Sequence, residues 1–124
     1  KAIFFLKAYF ESKAGPIKES GHAIGGHSVE HTYLTQIALT SLEQEISMSV
    51  KSEFFAYPYG DRKSFNQNVI SEVKKAGYQY AFTILPGFNN AKTNPYLLHR
   101  DSLDPDMANW LFKIWLKGAY DLLK

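Results

Sequence analysis

The 124-residue sequence has no cysteine. Disulfide staples and thiolate metal ligands are therefore excluded, but no compartment is, because many exported proteins also lack cysteine. An excess of one charge is missing too: 14 Lys and Arg stand against 12 Asp and Glu, for a net charge of +2. With the basic residues scattered, there is no electrostatic footprint for nucleic acid. Long apolar runs are absent. The longest, Ala2 to Leu6, falls far short of a membrane span and lacks the basic start and cleavage site of a signal peptide. No Asp precedes Asp61, and the last Glu is Glu72. Internal repeats, low-complexity segments and interdomain linkers are missing as well. A complete eightfold βα barrel is excluded, since it needs about 200 residues or more.

What is present is the composition of one globular domain: 45% hydrophobic, 15% aromatic and 21% charged. We read residues 1–124 as a single, partial domain, long enough to bury roughly two-thirds of its unfolded surface. The opening Lys1-Ala-Ile-Phe-Phe-Leu6 has no initiator Met and reads as a strand buried on both faces of a parallel sheet. A fragment, a processed product, or a chain whose earlier residues lie outside this sequence would begin this way.

Apolar runs then alternate with segments of helical period. Gly21–Ser28 contains a short extended stretch, Glu53–Tyr57 a strand, Tyr78–Ile84 another, and Tyr96–His99 a weaker one. Between them, Thr40-Ser-Leu-Glu43 reads as a capping box opening a helix whose inner face is Leu42, Ile46 and Val50. Ser64 and Gln67 form a second box before Phe65, Val69, Val73 and Ala76, and Gly77 sits where a helix C-terminus requires positive φ. Pro86-Gly87 through Asn94-Pro95 is loop. The last helix is expected to be capped by Asp104, with Pro105 at its first position. Met107, Trp110, Leu111, Ile114, Trp115, Gly118 and Leu122 would form one core-facing stripe. The βαβα alternation predicts an α/β fold.

Two segments carry chemistry. Gly25-Gly-His-Ser-Val-Glu-His31 places two imidazoles four residues apart after a glycine pair. Both rings can face one ion if the chain turns helical after His27; the alternative is two solvated or hydrogen-bonded histidines. The string also fits His-x-x-Glu-His, the signature of inverted zinc peptidases. That class needs a long helix and a distant Glu, and neither is available here. The second segment, Phe54-Phe-Ala-Tyr-Pro-Tyr-Gly-Asp61, ends a strand in a turn rigidified by Pro58. It is either a packed turn or part of a site, since α/β folds place their sites beyond the C-terminal ends of parallel strands.

In this order the segments resemble the NodB-type polysaccharide deacetylases of carbohydrate esterase family four. Ala2-Ile-Phe-Phe-Leu6 looks like the family's Ala-Thr-Phe-Phe strand, and Gly21-His-Ala-Ile-Gly-Gly-His-Ser-Val-Glu-His31 is similar to its Gly-His-Glu-Ile-Gly-Asn-His-Thr-x-x-His metal motif. Phe55-Ala-Tyr-Pro-Tyr-Gly60 is similar to its third motif. Gly77-Tyr-Gln-Tyr-Ala-Phe-Thr83 and Gly118-Ala-Tyr-Asp-Leu-Leu123 look like one bacterial branch of it.

The resemblance implies a distorted, incomplete βα barrel, here truncated at the N-terminus. It also implies a divalent metal, usually zinc, held by one Asp and two His, with metal-bound water attacking the acetamide of an N-acetylated sugar while a second Asp acts as base. By position, His27 and His31 would be the imidazole ligands. Tyr59 would offer its backbone N–H to the oxyanion, Tyr57, Pro58 and Tyr59 would contact substrate, and His99 would take the place of the fifth motif's proton donor.

The sequence departs from the family pattern at three points. The first motif, Thr-Phe-Asp-Asp-Gly, which supplies both carboxylates, is absent; the segment between Tyr9 and Gly21 is short; and Ala56 stands where many members carry an Arg. Two His ligands leave a zinc site one protein ligand short. Three expectations follow from these departures: a deacetylase whose activity needs residues absent from this chain, a noncatalytic carbohydrate-binding remnant, or a structural domain. An N-acetylated glycan is the expected partner, with a bacterial envelope or extracellular setting. An unpaired strand edge at Ala2–Leu6 invites self-association.

Overall fold

The computed structural model describes residues 1–101 and 106–117. Four short strands, β1 (Ile3–Leu6), β2 (Ala23–Gly26), β3 (Phe54–Ala56) and β4 (Tyr80–Phe82), form one sheet in the order β1-β2-β3-β4, every pair parallel. Sequential order is that of a βα-barrel wall; a doubly wound sheet reverses its strand order at a switch point. Leu98 adds a single parallel bridge to Phe82, which is all that forms of the strand expected at Tyr96–His99.

Along β3 the side chains alternate, and the two faces have different partners. Phe55, with Tyr57 and with Ala81 of β4, faces a core built from Leu34, Leu42, Ile46, Val69, Val73 and Tyr78. Two helices supply most of it: α2 (Leu39–Ser47) and α3 (Gln67–Lys75). On the other face the Phe5 ring of β1 lies 5.3 Å from the Phe82 ring of β4. Strands three places apart in a flat sheet are separated by about 14 Å, so this contact requires the sheet to curl. Gly25 of β2 permits it, because a Cβ there would stand 2.5 Å from the Phe5 ring. Arg100 sits over the same Phe5 ring, its guanidinium carbon 5.1 Å from the ring centroid.

Several local expectations are corrected. The helix expected to open on a capping box at Thr40 begins at Leu39 after Ala38, with no side-chain cap. At α3 the cap is Asn66, whose Oδ1 accepts from the Val69 N–H at 3.0 Å, whereas the Ser64 hydroxyl donates to the Asp61 carbonyl. Gly77 does take up positive φ, at 92°. Between Tyr9 and Gly21, where the segment reads as short, a 3₁₀ helix over Ala8–Lys13 runs into a six-residue α1 (Ala14–Glu19). β1 is not buried on both faces, since Phe4 is 44% exposed. The last helix described, α4 (Asn109–Leu116), does not turn its stripe into a core: Trp110 is 65% and Ile114 37% exposed. Asp104, Pro105, Gly118 and Leu122 lie outside the described residues. Among the described residues, no helix is long and apolar enough to cross a membrane.

Candidate functional site

Beyond the C-terminal ends of β2 and β3 the chain makes two turns that face each other. After Gly26 it passes through Ser28 at φ 61° and His31 at φ 58°; after Ala56 it passes through Tyr59 at φ 67° and Gly60 at φ 71°. Left-handed backbone at non-glycine residues costs on the order of 1 kcal/mol each. Three such residues in one place require surroundings that hold them, and the surroundings are visible. Glu45 of α2 accepts from the N–H groups of Val29 and Glu30 through one oxygen, at 3.1 and 3.0 Å. The buried Ser28 hydroxyl accepts from the His31 N–H, and Ser49 accepts from the His27 N–H.

The turns bring four rings together in sequence. The His27 and His31 centroids are 4.7 Å apart, His31 and Tyr59 are also 4.7 Å apart, and Tyr59 stacks on Tyr33 at 4.2 Å with the planes 8° from parallel. The Tyr33 hydroxyl donates to Asp61 at 2.8 Å, and this bond raises the phenol's pKa. Sequence reading missed Tyr33, Asp61, Glu45 and Ser49. The partners lie 15 to 28 residues apart, so no local spacing could signal them. The buried Thr32 hydroxyl oxygen, between the two site residues His31 and Tyr33, has no hydrogen-bond partner among the described residues.

Of the residues expected to touch substrate, Tyr59 is 47% exposed, whereas the side chains of Tyr57 and Pro58 are fully buried. The Tyr57 hydroxyl donates to the Tyr96 carbonyl, and burial pushes its pKa up. Among the described residues, no acceptor takes the Tyr59 backbone N–H. His99 is not joined to the four rings; its Nδ1 pairs with the Leu85 carbonyl at 3.0 Å, and it lines a separate cleft with Arg62 and Phe88.

His27 meets one requirement of a metal ligand. Its Nδ1 lies 2.7 Å from the Ala56 carbonyl, so Nδ1 carries the proton and Nε2 keeps its lone pair. Burial pushes this imidazole down to about 4, the Ala56 hydrogen bond opposes that, and the charges of His31, Arg100 and Lys7 add to the lowering. The donor set as a whole does not fit a zinc centre. Among the described residues, no group of three His, Cys, Asp or Glu could hold an ion, and zinc sites take three or four protein ligands.

The His27 environment has a testable consequence for stability. The unfolded chain, with an ordinary imidazole near 6.5, binds more protons than the folded one between about pH 6.5 and 4. Stability is therefore fully present above 6.5 and falls as pH drops through that window. The expected loss is about 3 kcal/mol. Urea unfolding at several pH values in wild type and His27→Gln measures it, as the difference between the two slopes; parallel slopes would contradict it.

The polysaccharide deacetylase family profile matches residues 1–81. YxkH of Bacillus subtilis (strain 168), assigned to the polysaccharide deacetylases, is 26% identical over 121 residues, covering 89% of this chain and 40% of its own length. Among solved structures, Streptococcus pyogenes deacetylase PplD in complex with acetate superposes with a TM-score of 0.68 at 21% identity, over 82% of this chain and 49% of that one. BA0330 of Bacillus anthracis, also assigned to the polysaccharide deacetylases, gives 0.58 at 23% identity, over 73% and 31%. The chain thus spans less than half the length of each of these proteins. With the profile running from β1 into β4 and taking in both facing turns, the chain belongs to the polysaccharide deacetylase family.

Proposed function

We propose that residues 1–124 form a carbohydrate-recognising polysaccharide deacetylase domain that binds an N-acetylated glycan without hydrolysing it. The observation that carries this reading is the exposed Tyr59 ring, stacked on Tyr33 and set edge-on to His31, in a site where no third metal ligand accompanies the two histidines among the described residues. An aromatic face with polar groups at its rim suits a sugar, which presents apolar C–H faces and hydroxyl edges. The four strands are read as one arc of a distorted, incomplete βα barrel. The expected setting is the bacterial envelope or the extracellular space, in keeping with the bacterial relatives. The test is an NMR titration of the chain with tetra-N-acetylchitotetraose, read for shifts at Tyr59 and His31 and for free acetate.

A second reading is favoured by the freed Nε2 of His27. Here His27 and His31 serve as imidazole ligands of a divalent ion, zinc by family habit, and the Tyr59 N–H faces the oxyanion. The carboxylates of that chemistry are not supplied by this sequence, and His99 has no contact that brings it to the His pair.

The outer edge of β1 is proposed as a pairing edge for a second copy. Among the described residues β1 pairs only with β2, and Phe4 is exposed. Sedimentation is expected to show mass rising with concentration; a concentration-independent monomer would contradict this.

A further inference from the structure

Between β4 and Arg100 the chain runs through more than a dozen residues with no helix and only the Leu98 bridge. Loops of that length without regular structure are uncommon in compact domains and often functional. This one is tied to itself. Asn89 clamps the His99 backbone at both ends, its Nδ2 donating to the carbonyl at 2.9 Å and its Oδ1 accepting from the N–H at 2.8 Å. Asn90 Oδ1 accepts from the Lys92 N–H, and Asn94 Oδ1 from the Tyr96 N–H. Gly87, at φ 148°, lies so close to the His99 ring that a Cβ there would stand 3.1 Å from it.

The loop walls a cleft of about 600 Å³, within the range of about 300–1,000 Å³ typical of small-molecule sites. Arg62, Phe88, Asn90, Lys92, Asn94 and His99 are among its lining residues, and among the described residues that line it none is a carboxylate. Phe88 is 62% exposed. Because the two Asn oxygens are used inside the loop, their amide ends stay available as donors among the described residues, like the guanidinium of Arg62 and the ammonium of Lys92. Asp61, the acid next to Arg62, is turned to Tyr33 and the Lys63 N–H. The Ile84 N–H donates to the Gly60 carbonyl at 2.9 Å, tying the start of the loop to the Tyr59-Gly60 turn.

We infer that this cleft is a second saccharide subsite, selective for a sugar bearing an anionic carboxylate or phosphate group; the inference rests on the glycan-binding reading above. Phe88 offers a face to the pyranose ring, and Arg62 and Lys92 neutralise the acid. In this assignment His99 is a wall of the subsite and takes no part in proton transfer at the His pair.

The test uses the intact chain and two matched pairs of probes: tetra-N-acetylchitotetraose against a hyaluronan tetrasaccharide, and N-acetylglucosamine against its 6-phosphate. At low salt one or both anionic members are expected to bind about fivefold tighter than their neutral partners, the effect of two partly exposed charge pairs. That preference is expected to fade as salt rises. In the double variant Arg62→Ala, Lys92→Ala it should vanish while affinity for the neutral tetramer is kept; both side chains are exposed, so folding is not at risk. Equal affinities within both pairs, or a preference that survives the double variant, would overturn the inference. If the neutral tetramer binds and no anionic preference is seen, the glycan-binding reading stands and the subsite falls. If no probe binds, both fall.

Discussion

Replacing Gly26 by valine is expected to destabilise the chain by several kcal/mol, roughly the overpacking cost plus that of displaced buried polar groups. Gly26 is the last residue of β2, immediately before His27, and a Cβ there would meet the Tyr78 hydroxyl at 2.5 Å, Ser49 Oγ at 2.8 Å and the Val50 carbonyl at 2.9 Å. None of the three can retreat freely. The Tyr78 hydroxyl is buried and donates to that same Val50 carbonyl at 2.9 Å. Ser49 Oγ holds the His27 N–H, and the carbonyl is backbone. Overpacking costs about 1–3 kcal/mol, and each buried polar group forced off its partner adds about 1–3 kcal/mol. The sum takes up much of a stability of about 5–15 kcal/mol. Circular dichroism with urea unfolding measures the effect; a variant within 1 kcal/mol of wild type, on the error scale of such extrapolations, would show that the β2 end is not packed as described.

Replacing Tyr59 by glycine is expected to separate stability from binding. The backbone at Tyr59 sits at φ 67°, where glycine removes a strain of about 1–2 kcal/mol. The lost stack on Tyr33 returns about 0.5–1.5 kcal/mol. The two offset, so the melting behaviour should stay close to wild type. Affinity for tetra-N-acetylchitotetraose should fall at least about tenfold, because the variant lacks the exposed ring of the site, and tenfold is only about 1.4 kcal/mol. Calorimetric titration alongside thermal unfolding reads both. A stable variant that binds as tightly as wild type would remove Tyr59 from the recognition site.

The parallel strands are legible because runs of β-branched and aromatic residues favour strands, and Ile3–Leu6 and Phe54–Ala56 are such runs, although β1 is less buried than its run suggests. Gly77 was legible because helix ends need positive φ. His27, His31 and Tyr59 stand in the two motif segments of the sequence, and the fold sets their rings side by side. What failed was either long-range or a competition between equivalent local signals. Asn66 won the cap from Ser64 because the Ser64 hydroxyl found the Asp61 carbonyl. Tyr57 and Tyr59 look alike in sequence, yet strand alternation carries Phe55 and Tyr57 into the core, and the left-handed turn then swings Tyr59 outward. The Asp61–Tyr33–Tyr59 tether joins segments that only the fold brings together. The apolar stripe of α4 had the right period for a core helix, but periodicity reports only which residues share a face; it does not specify what covers that face, and here Trp110 stays exposed.

The central claim, recognition without hydrolysis, is tested most directly by one NMR titration of the 124-residue chain with tetra-N-acetylchitotetraose in the presence of zinc. The expected result is saturable movement of the Tyr59 and His31 signals with no acetate resonance growing over hours. Steady release of acetate beyond one equivalent per chain, abolished by a chelator, would contradict the account, and so would Tyr59 and His31 signals that never move.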